Sequence, residues 1–254
     1  MTWIPVDCHA HTTMSDGALD VGALVVRARA RGVRPSVSDH ISRDVAGSIK
    51  HVEGVRAYLD TLDEFPVLRA GEFCWHDALW REIPPDLVSR FNHRIGSLHA
   101  IYLADGTLVH AFGRDLPDGL TPSGYMDAHL DEVERFAAAM PVDILAHPTL
   151  VPISLRSLPP EELWTEAREE RLVALLAKAG IAFEVSGRYR PHERIVRRAV
   201  AAGVRLSLGS DGHTDDKVAN VETQLAMTRS LGVRDEDLYD PIAHGSRTQN
   251  IAAR

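Results

Sequence analysis

Apolar positions along the chain follow two spacings that alternate. Short apolar segments at 4–11, 35–40, 66–72, 92–99, 142–147, 181–185 and 205–211 have the length and composition of strands. Between most of them runs the wider spacing of amphipathic helices. Val21, Leu24, Val25 and Ala28 form one stripe that ends before Gly32. Leu130, Val133, Ala137 and Met140 form another, closed by Pro141. Leu172, Leu175 and Leu176 belong to a third, stopped by Gly180, and 191–202 to a fourth, stopped by Gly203. Strands that alternate with helices build a parallel sheet. About seven such units in 254 residues fit a single domain with a closed or nearly closed β/α barrel. The alternative, an open doubly wound sheet, lacks its usual phosphate fingerprints: no G-x-G-x-x-G follows a strand, and no G-x-x-x-x-G-K-[ST] occurs.

Composition narrows the function. A hydrophobic share of 44% and a charged share of 25% are ordinary globular values and exclude wholesale disorder. No apolar run reaches the length of a membrane span, and the first residues carry no secretory pattern. Two cysteines, Cys8 and Cys74, build neither a disulfide framework nor a four-thiolate zinc site, so a cytoplasmic setting is expected. Both read as small buried hydrophobes. The net charge of −8 argues against a nucleic-acid backbone as the main partner. The distinctive feature is 13 histidines.

Six of those 13 fall, with three carboxylates, at predicted strand ends. The first strand reads Asp7-Cys8-His9-Ala10-His11, and strand alternation puts Asp7, His9 and His11 on one face. Asp16 follows in the turn Ser15-Asp16-Gly17. Ser38-Asp39-His40, Ala70-Gly71-Glu72, His99, His147-Pro148 and Ser210-Asp211-Gly212-His213 close later strands. In a β/α barrel those ends meet at one mouth, where active sites lie. Nine imidazole and carboxylate side chains exceed what one tetrahedral ion takes and suit two or three ions with a bridging carboxylate. The donor set, without thiolate, favours Zn, Mn or Fe.

Together, in this order, these motifs resemble the polymerase and histidinol phosphatase (PHP) superfamily from residue 7 to residue 213. The resemblance implies a distorted (β/α)7 barrel, three divalent metal ions and phosphoesterase activity. It implies that His9, His11, Glu72 and Asp211 hold one ion. Glu72 bridges to a second ion held by His99 and His147, and Asp16, His40 and His213 hold a third. Glu72, Asp211 and His213 are thereby placed at the reaction centre. Asp7 and Asp39 are expected behind the ligands, orienting imidazoles. Ser38 stands where Thr is more usual. Within the family, Arg94-Ile95-Gly96-Ser97-Leu98-His99 is similar to histidinol-phosphate phosphatases. Glu184-Val185-Ser186-Gly187 departs from them in lacking the usual Asn after the acidic–apolar pair, which leaves the alcohol of the substrate open.

The expected chemistry is hydrolysis of a small phosphate monoester, with L-histidinol phosphate first. Arg188 and Arg190, just past the sixth strand, are placed to bind the phosphate, for which the guanidinium fork is suited. Competing readings are a phosphodiesterase or exonuclease using the same metals, and a metal-binding module without catalysis. The complete ligand set weighs against the last. Residues 151–164, rich in proline, read as a loop rather than a lid, and His76 and His192 sit close enough to strand ends to touch a substrate.

Overall fold

The computed structural model describes residues 3–246; the ends of the expected 1–254 domain, residues 1–2 and 247–254, lie outside them. Its strands are β1 (Ser36–Val37), β2 (His40–Ile41), β3 (Leu68–Arg69), β4 (Glu72–Cys74), β5 (Ile95–Ser97), β6 (Ala100–Tyr102), β7 (Leu108–His110), β8 (Ile144–Leu145), β9 (Ala182–Ser186) and β10 (Leu206–Gly209). Six of them form a parallel sheet in the order β10-β9-β8-β5-β4-β2. β1 and β3 pair in the same register as β2 and β4, so β1 and β2 are one strand with a break, as are β3 and β4. The Tyr58 hydroxyl fills that break: it accepts from the Asp39 amide and donates to the Ala70 carbonyl.

Residues 5–12 join the two edges of this sheet. On one side the Cys8 amide donates to Leu208 and the Asp211 amide to the carbonyl of His9 (both 2.8 Å). On the other the Ser38 amide donates to Ala10 (2.9 Å) and the Arg34 amide to Pro5 (2.8 Å). The result is a parallel α/β sheet whose two edges are bridged, among the described residues, only by this segment, in keeping with the expected distorted barrel. The segment 4–11 contributes isolated bridges rather than the expected regular strand. The reason is local chemistry. The Asp7 carboxylate takes the amide of Ser210 (2.8 Å), and the Ser38 hydroxyl takes the amide of Ala10 (2.9 Å). Side chains thus stand where a ladder would use carbonyls.

Helices cover the outside. Val21–Ala30 starts at Asp20, whose carboxylate accepts from the Ala23 amide, and buries Val21, Leu24, Val25 and Ala28. Pro122–Ala139 is capped by Thr121, and Glu166–Ala179 by Thr165 at its start and by left-handed Gly180 at its end. Among the described residues, no helix is long and apolar enough to cross a membrane. Two features lie outside the sequence reading. β6 and β7 form an antiparallel hairpin directly after His99, at the mouth of the barrel. Residues 151–164 contain a 3-10 turn (Ile153–Leu155) and a short helix (Pro160–Leu163), with Leu155, Leu163 and Trp164 buried.

Candidate metal centre

All nine strand-end side chains meet at one mouth. His9, His11, Glu72, His99, His147 and Asp211 are buried; Asp16 and His213 lie toward solvent. Glu72 stands at the centre. Its Oε2 is 3.3 Å from His9 Nε2, 3.7 Å from His11 Nε2 and 2.6 Å from His40 Nδ1. Its Oε1 is 3.2 Å from both His99 Nε2 and His147 Nε2, which are themselves 3.4 Å apart. Asp211 Oδ1 completes the first group at 3.4 Å from His11 Nε2 and 3.9 Å from His9 Nε2. Asp16 Oδ1 faces His213 Nε2 at 3.3 Å and His40 Nε2 at 3.6 Å.

These donors fit metal ions. Buried polar atoms are nearly always hydrogen-bonded. Here His9 Nε2, both ring nitrogens of His11, His40 Nδ1 and Glu72 Oε2 are buried without a hydrogen-bond partner among the described residues. His40 Nδ1 approaches Glu72 Oε2 to 2.6 Å without the alignment of a hydrogen bond. A tetrahedral ion with bonds of about 2.0–2.1 Å separates its ligand atoms by roughly 3.4 Å. The triangle of Glu72 Oε1, His99 Nε2 and His147 Nε2 has sides of 3.2, 3.2 and 3.4 Å.

The electrostatics keep the carboxylates charged. Burial favours the neutral acid of Glu72, but the imidazoles of His40, His99 and His9 outweigh it and hold its pKa well below the usual range. Burial likewise opposes ionisation of Asp211, and His9 and His11 overcome it. Burial, reinforced by His40, depresses His11 to about 3, leaving that ring neutral as a ligand must be.

Partners behind the cluster set the ring orientations. His9 Nδ1 donates to Glu184 Oε1 at 2.7 Å, which aims Nε2 at Glu72 and Asp211. His213 Nδ1 donates to the Asp211 carbonyl at 2.9 Å, which aims Nε2 at Asp16. The backbone is strained at two of these positions: His147 (φ 29°) and Asp211 (φ 50°) occupy the left-handed region that side chains avoid. Asp7 and Asp39 do not orient imidazoles. Asp7 accepts from Ser210 and from the Ala219 amide. Asp39 accepts from Thr12 and Ser15 and so pins the turn that carries Asp16. Burial raises both to about 6.

Comparison with solved structures places this architecture. Histidinol phosphate phosphatase from Lactococcus lactis subsp. lactis, solved with zinc, L-histidinol and phosphate, superposes with a TM-score of 0.67, covering 91% of this chain and 94% of that one at 15% identity. The chain shares the fold of a histidinol phosphate phosphatase. A candidate histidinol phosphatase from Listeria monocytogenes gives a TM-score of 0.66 over 86% of this chain and 99% of its own, also at 15% identity. No protein-family model and no curated protein matches the sequence.

Around the cluster lies a cavity of about 350 Å³ lined also by Asp44, His110, Phe112, Arg188 and Tyr189. Arg188 reaches it, with Nη1 3.0 Å from His213 Nδ1 and 3.7 Å from Asp211 Oδ1. Arg190 does not; it lines a neighbouring cavity. His76 is held by Asp44 at 2.8 Å and His192 by Glu169 at 2.5 Å, and neither lines the metal cavity. Cys74 departs from the inert part expected of it: its Sγ lies 3.1 Å from His99 Nδ1, behind a candidate ligand. Glu184 was legible as a charge inside an apolar strand, but its partners His9 and His147 are far away in sequence.

Proposed function

We propose that this chain is a metal-dependent phosphomonoesterase acting on a small, soluble phosphate ester, with L-histidinol phosphate the first candidate. The observation that carries the reading is the set of buried, unpartnered nitrogen and oxygen atoms around Glu72. In this reading His9, His11, Glu72 and Asp211 would hold one divalent ion, Glu72, His99 and His147 a second, and Asp16, His40 and His213 a third; Zn, Mn and Fe suit the donors. Bound there, such ions lower the pKa of a water toward neutrality and offset the charge of phosphate oxygens.

The chain's own residues prepare that chemistry. Three carboxylates balance half the charge of three divalent ions, so the mouth stays cationic toward a phosphate dianion. Glu72, with one oxygen toward each of two imidazole groups, bridges them. Arg188 stands at the rim beside Asp211 and His213 and would donate to a non-bridging oxygen. Phe112 and Tyr189 add apolar walls to the mouth, within ring contact of His99 and His147 respectively. A cytoplasmic setting fits the two cysteine thiols, Cys8 and Cys74.

The test compares kcat/KM for L-histidinol phosphate, other phosphomonoesters, mononucleotides and a 3′-ended oligonucleotide, with Zn, Mn or Fe added. Preference for a monoester supports the proposal. A tenfold or greater preference for the oligonucleotide, about 1.4 kcal/mol in the transition state, replaces it with a nuclease. No hydrolysis of any ester overturns it.

A further inference from the structure

We propose that the cavity on the far side of Tyr189 is a second subsite, which takes an apolar, planar part of the substrate alcohol carrying a negative charge remote from the phosphate. The proposal rests on the phosphatase reading and narrows its substrate class, placing an aromatic acid alcohol ahead of L-histidinol, whose amine is cationic. The cavity measures about 520 Å³, larger than the metal cavity, and is roofed by residues 151–164. Leu155, Leu158, Leu163 and Trp164 supply apolar walls. A chain segment that folds over solvent usually fills the space beneath it with its own side chains. Here Leu155, Leu163 and Trp164 are buried and the space persists beside them.

Position ties this cavity to the reaction. Tyr189 lines both cavities, and its ring lies 5.4 Å from that of His147. Arg156 holds the partition: its guanidinium sits over the rings of Tyr189 (5.3 Å) and Phe112 (5.8 Å) while bonding the carbonyls of Val151 and Ala111. A phosphate ester seated at the cluster therefore needs to extend past one ring to reach the second space. A compact alcohol such as glycerol is too short to gain from it.

Two polar features set the chemistry of the occupant. The Arg156 guanidinium lines the cavity and, beyond its bonds to two carbonyls, forms no ion pair among the described residues. Arg190 lines the same cavity, is exposed, and forms no ion pair among the described residues. Both features are donors, and the remaining wall is largely apolar. Glu193 also lines the rim, and His192 is taken up by Glu169. An apolar ring with a carboxylate or similar acceptor matches this lining better than a polyol or a cationic amine.

The experiment uses phosphate esters of two primary alcohols with similar intrinsic leaving ability. These are 4-carboxybenzyl phosphate and glycerol 1-phosphate, with benzyl phosphate as the uncharged control. Wild-type enzyme loaded with metal should favour 4-carboxybenzyl over glycerol phosphate in kcat/KM by about tenfold or more, the scale of a filled apolar pocket. Leu158→Trp, which fills the cavity, should bring that ratio close to one. Arg190→Ala, a surface change that leaves the core intact, should remove the advantage of carboxybenzyl over benzyl phosphate. A second readout needs neither metal nor turnover: 4-(hydroxymethyl)benzoate should bind the metal-free protein, read by tryptophan fluorescence, and lose that binding in both variants. Equal kcat/KM for all three esters, or ratios that both variants leave unchanged, overturns the subsite. If no ester is hydrolysed but the benzoate binds and both variants abolish it, the phosphatase reading fails and the subsite stands.

Discussion

Glu184 is the most informative side chain to alter, because it serves two candidate ions at once without being a ligand of either. Its Oε1 accepts from His9 Nδ1 at 2.7 Å and its Oε2 from the His147 amide at 2.5 Å. Glu184→Gln keeps the shape and removes the second acceptor. If the amide oxygen faces His147, the amide NH₂ faces His9 Nδ1, which must then accept; the proton moves to His9 Nε2, the atom needed for a metal. If the amide is turned the other way, two N–H groups oppose each other at His147. Either way one charge-assisted hydrogen bond is lost, which is worth about 1.5–3 kcal/mol. That corresponds to a 10–100-fold weaker grip on metal, the range typical of partners behind ligands.

The assay is competition with a graded series of chelators, followed by elemental analysis of the protein. Gly209→Ala reaches the same carboxylate by another route. A Cβ at position 209 would fall 2.0 Å from Glu184 Oε1 and 2.9 Å from the Cβ of His9, so the carboxylate must move. Unchanged metal affinity in Glu184→Gln would refute the tautomer argument. Lost affinity in Gly209→Ala beside unchanged affinity in Glu184→Gln would assign the effect to packing instead.

Four further outcomes are expected. Purified protein from metal-replete growth should carry two to three ions per chain, and metal at about 1,000 times its Kd should stabilise the fold by roughly 4 kcal/mol; no more than one ion by elemental analysis counts against a trinuclear site. Glu72→Gln should reduce activity by several orders of magnitude while the circular dichroism stays folded, since one neutral oxygen cannot serve two cations. Arg188→Ala should raise KM for a phosphomonoester more than it lowers kcat in steady-state kinetics, as expected for a contact kept from ground state to transition state. His129 is buried with both ring nitrogens unpartnered among the described residues, and burial depresses it to about 4. The unfolded chain takes up its proton near pH 6.5, so this contribution is intact above that pH and falls toward pH 4; by denaturant unfolding, the stability lost between pH 7 and pH 5 should be about 2 kcal/mol larger in wild type than in His129→Leu.

The sequence disclosed the site more completely than it disclosed the frame. Histidines and carboxylates at the ends of apolar strands stand out because such residues are costly to bury without a purpose. Their spacing was enough to bring His9, His11, Asp16, His40, Glu72, His99, His147, Asp211 and His213 to one mouth. What stayed hidden depends on contacts between distant segments. The hairpin after His99 uses two strands of three residues, too short for any periodicity. Segment 4–11 alternates like a strand, but Asp7 and Ser38 occupy the amides that a ladder would use. Arg188 and Arg190 are indistinguishable as loop arginines, yet they line different cavities.

The positions of strain and of bridging carboxylates imply that the candidate ion sites act as one unit. His147 and Asp211 sit in the left-handed region, at about 1–3 kcal/mol each. Surrounding bonds hold them there: the His147 amide on Glu184, the Asp211 amide on the carbonyl of His9 at 2.8 Å. Glu184 therefore couples His9 in the first group to His147 in the second through the protein, as Glu72 couples the same two groups through its two oxygens. His40 extends the link, facing Glu72 with one ring nitrogen and Asp16 with the other. Groups joined this way do not respond independently. Release of one cation from such a cluster would expose Glu72 Oε2 or Oε1 to unpaired burial and loosen the neighbouring donors, so any remaining cation would lose part of its site. A chain that orients its candidate ligands through shared carboxylates would gain a rigid cluster and, for the same reason, would forfeit the option of holding its ions one at a time.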